Sequence, residues 1–339
     1  MFGILLIAIG SLGAASFYVP FSKVKQWSWE SYWIMQGVAA WLLAPWIFAL
    51  VAVHPDTLMA VIGETPVRTK GLVMLFGALW GVGGLTFGLS QRYMGVALGQ
   101  SIALGLCAAL GTLIPAIASG GDLFGTRAGV LMLVGVAVSL AGIVIIGYAA
   151  ALKNKGLSEE DRKAAVKEFA LKKGVLIAVL SGVMSACFAF GLEAGKPMEV
   201  LAAEKGTNAL YVSNPSLIFV LLGGFATNLV YCVFLNIKNK TYKDYVSVSP
   251  ALFLNNLAFT FLAGVLWFIQ FHFFGMGKSL IPESMAPFAW SILMALNIVM
   301  ANLWGIVLKE WKGVSRKTLW VLVLGLVVLI LSTFVIKLT

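Results

Sequence analysis

Trp80 and Trp267 each stand in the middle of a long apolar run, far from where a bilayer-interface anchor belongs. An indole at membrane depth has an N–H to satisfy and a broad apolar face. The chemistry that suits it is stacking on a pyranose ring while nearby amides bond the sugar hydroxyls. Gln270 follows Trp267 by three residues and shares its helix face, which makes the pair a compact hydroxyl-reading surface. Asn297, in the middle of a later run, is a further amide of the same kind. The same residues also suit plain helix packing: Gly81, Gly83 and Gly84 beside Trp80 allow close approach, and a polar side chain in a bilayer readily bonds a neighbouring helix. Both readings stand on the residues alone. Trp27, Trp29, Trp33, Trp311 and Trp320 are expected to be ordinary interfacial anchors.

Proton transfer needs an ionisable group at depth, and three candidates for cation coupling emerge: Glu193, His272 and Glu30. Glu193 is the acid that falls within a predicted span. A carboxyl group that alternates between a hydrated vestibule and a drier occluded state is stabilised in its protonated form on closing, as a proton carrier requires. Lys196, one turn on, favours the carboxylate instead, so a static link at the outer mouth is the other reading. His272 has a suitable intrinsic pKa and equally suits a structural role. Glu30 flanks a cytoplasmic helix end. Soluble-enzyme constellations are missing: the glycines near Trp80 complete no nucleotide loop, and two histidines with three cysteines at unpaired spacing offer no metal centre. The sequence predicts no enzyme, no metal and no cofactor. An intramembrane enzyme would need acid, base or metal-binding groups converging at one depth.

These residues must be positioned by membrane helices. Of 339 residues, 60% are hydrophobic and only 11% charged, too little polar surface for a water-soluble globule. A span needs roughly 20 mostly apolar residues. Such runs lie near 2–21, 31–53, 71–90, 95–118, 128–151, 174–196, 213–236, 254–276, 287–308 and 319–337. The first has no basic segment ahead of it, so it is read as a retained helix and not a cleaved signal.

The net charge of +10 is distributed by loop. With the N-terminus outside, seventeen of the 24 basic residues fall on the cytoplasmic side, among them Lys23, Lys25, Lys153, Lys238 and Lys309, so both termini are predicted outside. The basic residues thus answer to membrane lipids, and nucleic-acid binding is not supported.

The hydrophilic segment 152–173 divides the chain into five-helix halves, 1–151 and 174–339. That segment is read as a cytoplasmic linker, a solvated surface helix. Weak self-similarity relates the halves: Ala78-Leu79-Trp80 lies over Val265-Leu266-Trp267, and Leu133-Val134-Gly135 over Val323-Leu324-Gly325. An odd number of helices per half turns the second copy upside down, so the fold class is an all-α polytopic membrane protein of ten helices in two inverted repeats. The repeat favours a start for the eighth helix near Leu257, which sets Trp80 and Trp267 about 14 Å from their helix ends, near the midplane.

Several segments carry a resemblance: Lys23-Val24-Lys25-Gln26-Trp27-Ser28-Trp29-Glu30, the stretch from Gly77-Ala78-Leu79-Trp80-Gly81 to Arg92-Tyr93-Met94-Gly95, Lys196-Pro197-Met198, Trp267 with Gln270-Phe271, Ile281-Pro282, and Val307-Leu308-Lys309-Glu310-Trp311. As a set they resemble the L-rhamnose/proton symporter family over nearly the whole chain, a family grouped with the ten-helix drug/metabolite transporters. The resemblance implies import of L-rhamnose with protons across the bacterial inner membrane, by alternating access around a central cavity. It assigns no coupling role to Glu193 or His272. Sodium as the coupling ion, another deoxysugar as substrate, and export or exchange of another metabolite on the same scaffold are the alternatives.

Overall fold

A computed structural model describes residues 1–94, 96–155 and 171–338. Among the described residues the regular structure is entirely helical, and ten segments are long and apolar enough to cross a bilayer. Helices satisfy their backbone groups internally, which lipid requires of any spanning segment. The chain runs α1 (Phe2–Ser16), α2 (Tyr18–Phe21), α3 (Trp29–Gly37), a π-helical turn (Val38–Leu43), α4 (Ala44–Ala52), α5 (Pro55–Glu64), α6 (Val67–Met94), α7 (Val96–Ala118) and α8 (Arg127–Lys155). It continues with α9 (Leu171–Ala194), α10 (Lys196–Glu204), α11 (Asn214–Asn239), α12 (Pro250–Lys278), α13 (Phe288–Val307) and α14 (Arg316–Thr333). Most of the expected linker helix lies outside the described residues.

Three features depart from the sequence expectation. The eighth span starts at Pro250 and not near Leu257, because Ser249 caps it by accepting the Leu252 N–H at 3.3 Å. Asn255 and Asn256 lie ahead of Leu257. They are helical because their amides bond another part of the chain: Asn256 Nδ2 donates to the Lys25 carbonyl at 2.7 Å, and Asn255 Nδ2 to the Lys23 carbonyl at 3.0 Å. The sixth span does not stop at Lys196. After a single non-helical residue, Gly195, the chain continues as α10 to Glu204. The second span is not uniformly α-helical. Pro45 has no N–H and its ring crowds the Trp41 carbonyl one turn back, so the ladder shifts and the Ala44 N–H bonds the Ala39 carbonyl five residues behind.

The chain forms two compact units. The first comprises Met1–Gly81 and Gly191–Leu280. Within it α1 lies against α12 along small residues: an added Cβ at Gly3 would sit 2.6 Å from the Gly277 carbonyl oxygen, and one at Gly277 would sit 2.5 Å from that of Gly3. Without a hydrophobic drive between helices in lipid, such backbone approach supplies the van der Waals contact. The second unit comprises Val82–Phe190 and Ile281–Thr339. Its interior is tied by a serine relay, Ser291 to Ser139 at 3.3 Å and Ser139 to Ser332 at 2.8 Å, and by the Trp290 N–H on the Cys107 carbonyl at 3.1 Å.

Candidate functional site

The first unit gathers four tryptophans from three spans. Trp33 and Trp41 come from the α3–α4 span, Trp80 from the middle of α6, and Trp267 from α12, at position 18 of its 29 residues. The Trp80 and Trp267 rings are 5.7 Å apart and inclined at 34°. Trp41 stands edge-on to both, 5.9 Å from Trp80 and 5.6 Å from Trp267, and Trp33 meets Trp41 at 5.9 Å. Phe271 adds an edge 5.0 Å from Trp267. Edge-to-face contacts at such spacings contribute about 0.5–1.5 kcal/mol each beyond area burial.

Local sequence explains how the rings converge. Gly224 on α11 leaves room for the Trp80 ring, which an added Cβ there would strike. The π turn rewinds the second span at Trp41 itself. Asn228 fixes Trp33: its Oδ1 accepts the indole N–H at 3.1 Å, while its Nδ2 donates to the Gly224 carbonyl at 2.9 Å. Trp41, Trp33, Trp80, Trp267 and Phe271 therefore meet in one place, with Trp41 and Phe271 buried and Trp33, Trp80 and Trp267 half-buried, and a half-buried indole face is of the kind that stacks on the apolar face of a sugar ring.

Trp80 and Trp267, named from the sequence, are thus brought together. Gln270 is close by and buried, but its Cα packs beside Gly10 of α1 and its Nε2 donates to the Trp267 carbonyl at 3.0 Å. Asn297 belongs to the second unit, where it lies half-buried at the middle of α13. The expectation that Trp33 and Trp27 are plain interfacial anchors is corrected. Trp33 has its N–H on Asn228 and its ring in the cluster, and Trp27 is buried against Tyr245 and Phe253.

Two residues escaped the sequence reading: Trp41, a member of the cluster, and the nearby Gln36, which is buried. Trp41 lies as near the middle of its span as Trp80 does, so the midplane criterion already pointed to it. Gln36, an amide inside an apolar run, is spaced i+3 from Trp33 and i+7 from Trp29.

The three ionisable candidates differ in setting. Glu30, in the first turn of α3, is 6% exposed, and its Oε1 accepts from Asn239 Nδ2 at 2.9 Å and Thr241 Oγ1 at 2.8 Å. Among the described residues no lysine or arginine is paired with it. Beside it Asp244 Oδ2 accepts from the Ser28 N–H at 2.7 Å and Ser31 Oγ at 2.8 Å, and its carbonyl accepts the Trp27 indole N–H at 3.1 Å. Burial pushes the Tyr245 phenol up to about 12, so it is a neutral donor, and its O–H donates to the Ser31 carbonyl at 3.2 Å.

His272 is buried among Phe48, Phe268 and Tyr211, with Nδ1 3.1 Å from Asn214 Oδ1. Glu193 is half-buried in the last turn of α9. Near that helix end two other acids meet cations, Glu64 with Lys205 at 2.7 Å and Glu199 with Lys278 at 3.9 Å. Among the described residues no three His, Cys, Asp or Glu side chains lie close enough together to hold a metal ion.

The profile of the family described as L-rhamnose-proton symport protein (RhaT) matches residues 1–339. Curated relatives include L-rhamnose-proton symporters of Yersinia pestis (strain Pestoides F) and of Yersinia pseudotuberculosis (serotype O:1b, strain IP 31758). Each is 37% identical over 340 residues, covering 99% of this chain and 97% of the relative.

Proposed function

The chain belongs to the L-rhamnose-proton symport family, and from that premise we propose that it imports L-rhamnose or a related deoxysugar with a proton across the inner membrane. The observation that carries this reading is the family match along the whole chain. The tryptophan cluster supports it, since such a surface suits the apolar faces of a pyranose. Trp80 and Trp267 provide the stacking faces in this reading, and Gln270, one turn after Trp267 with its Nε2 on the Trp267 carbonyl, is the amide beside them. Transport proceeds by alternating access between two inverted five-helix repeats, with both termini outside.

Glu30 is the coupling residue in this account. It is a buried carboxylate held by neutral donors, so among the described residues taking up a proton breaks no ion pair. It also lies one turn from Trp33 on the same helix, so the charge on Glu30 and the packing of the cluster bear on one rigid element. Uptake of labelled L-rhamnose into proteoliposomes, with inward proton and sodium gradients imposed separately, tests the function. Accumulation above equilibrium is expected with the proton gradient alone; accumulation with sodium only, or none with either, refutes it.

A further inference from the structure

We propose that the carboxamide of Gln36 and the indole N–H of Trp41 read neighbouring hydroxyls of the sugar and so set which neutral deoxyhexose the carrier accepts. The inference rests on the reading of the tryptophan cluster as the sugar site. Gln36 is 0% exposed, and neither its Oε1 nor its Nε2 has a hydrogen-bond partner among the described residues. Trp41 is 4% exposed, and its Nε1 is likewise without one. Burying such groups unsatisfied is costly, and packing alone gives no reason to keep an amide where leucine or methionine would fit.

Their position points to a ligand. Trp41 is the ring that touches Trp33, Trp80 and Trp267 together. Gln36 is one turn from Trp33, and its backbone carbonyl oxygen lies 2.7 Å from where a Cβ on Gly264 would be, one turn before Trp267 on α12. This turn of α3 is therefore packed on α12 beside the turn that carries Trp267, and the Gln36 side chain is buried. A carboxamide offers a donor and an acceptor side by side, which complements two adjacent hydroxyls, each able to give and to take a hydrogen bond. The indole N–H adds a further donor. With no charge in this set, neutral sugars fit it and anionic sugar acids do not.

The amide is enclosed in this conformation, and the adjoining segment is built to change. The π turn begins two residues after Gln36, where Pro45 already withholds one N–H from the ladder, so rewinding costs less than in an intact helix.

Isothermal titration of the purified full-length protein in nanodiscs with L-rhamnose tests the proposal, using wild type, Gln36→Leu, Trp41→Phe and Trp267→Ala. Gln36→Leu is expected to weaken binding by about 5- to 150-fold without lowering the melting midpoint. Trp41→Phe, which keeps a ring and removes the N–H, is expected to weaken it in the same sense. Among L-rhamnose analogues each lacking one hydroxyl, at least one is expected to bind wild type and Gln36→Leu alike, whereas a merely structural role weakens every sugar equally. Unchanged affinity in Gln36→Leu with impaired Trp267→Ala overturns this inference and leaves the cluster as the sugar site. Unchanged affinity in both overturns the site reading as well. Should Gln36→Leu not fold, Gln36→Met, unbranched and nearer in shape, is judged by the same outcomes.

Discussion

The rings of Trp80 and Trp267 lie 5.7 Å apart and 34° from parallel, although they come from helices separated by nearly two hundred residues of sequence. Trp267→Ala removes one of the two faces and is expected to weaken L-rhamnose binding by about 1–3 kcal/mol, with protein abundance near normal. Gln270→Ala is expected to impair binding less, because its Nε2 is already engaged on the Trp267 carbonyl at 3.0 Å. Equilibrium titration of both variants checks the order; a larger loss in Gln270→Ala reverses the assignment.

Asp244 closes the start of α3 through two short bonds, from the Ser28 N–H at 2.7 Å and from Ser31 Oγ at 2.8 Å. Asp244→Ala leaves the Ser28 N–H without its acceptor and Ser31 Oγ with only its longer contacts to the Thr241 carbonyl at 3.3 Å and Asn236 Oδ1 at 3.5 Å, and is expected to cost about 1–2 kcal/mol, the usual loss at a helix N-terminus. A lowered thermal midpoint in detergent, measured by intrinsic fluorescence, is the expected outcome. An unchanged midpoint would mean that water replaces the carboxylate at no cost.

Much of this was legible in the sequence, and the exceptions have physical causes. Ten apolar runs gave ten spans because bilayer thickness fixes how long a crossing helix must be. Trp80 and Trp267 were legible because an indole in mid-run is conspicuous. Trp33 was misread as an anchor because closeness to a helix end in sequence says nothing of whether Asn228 waits on another span. The repeat match set the start of α12 near Leu257, and nothing local could correct it, because the partners of Asn255 and Asn256, the carbonyls of Lys23 and Lys25, are more than two hundred residues away. The second span was read as one run, 31–53, and the π turn that Pro45 brings about at Trp41 was not foreseen.

Orientation follows from the basic residues. Tags at the two termini are expected to be accessible only from outside, and a tag inserted at Gly156 only from within. Labelling of intact and permeabilised cells decides the matter, and a cytoplasmic N-terminus would invert the assignment.

Glu193 and His272 are expected to be dispensable for coupling. Glu193 is half-buried at a helix end, and His272 is boxed by aromatic rings with Asn214 on its Nδ1 at 3.1 Å. Well-expressed Glu193→Gln and His272→Asn should accumulate labelled sugar as wild type does. Exchange without accumulation in either variant would move the proton site there.

The central claim is that sugar and proton move together, with Glu30 carrying the proton. It is tested most directly by adding L-rhamnose to lightly buffered, de-energised cells expressing the protein and recording external pH. Wild type is expected to give a transient alkalinisation that a protonophore abolishes. Well-expressed Glu30→Gln should give none while still exchanging labelled sugar. Sugar entry without any alkalinisation in wild type would contradict proton symport, and an undiminished alkalinisation in Glu30→Gln would remove that residue from the mechanism.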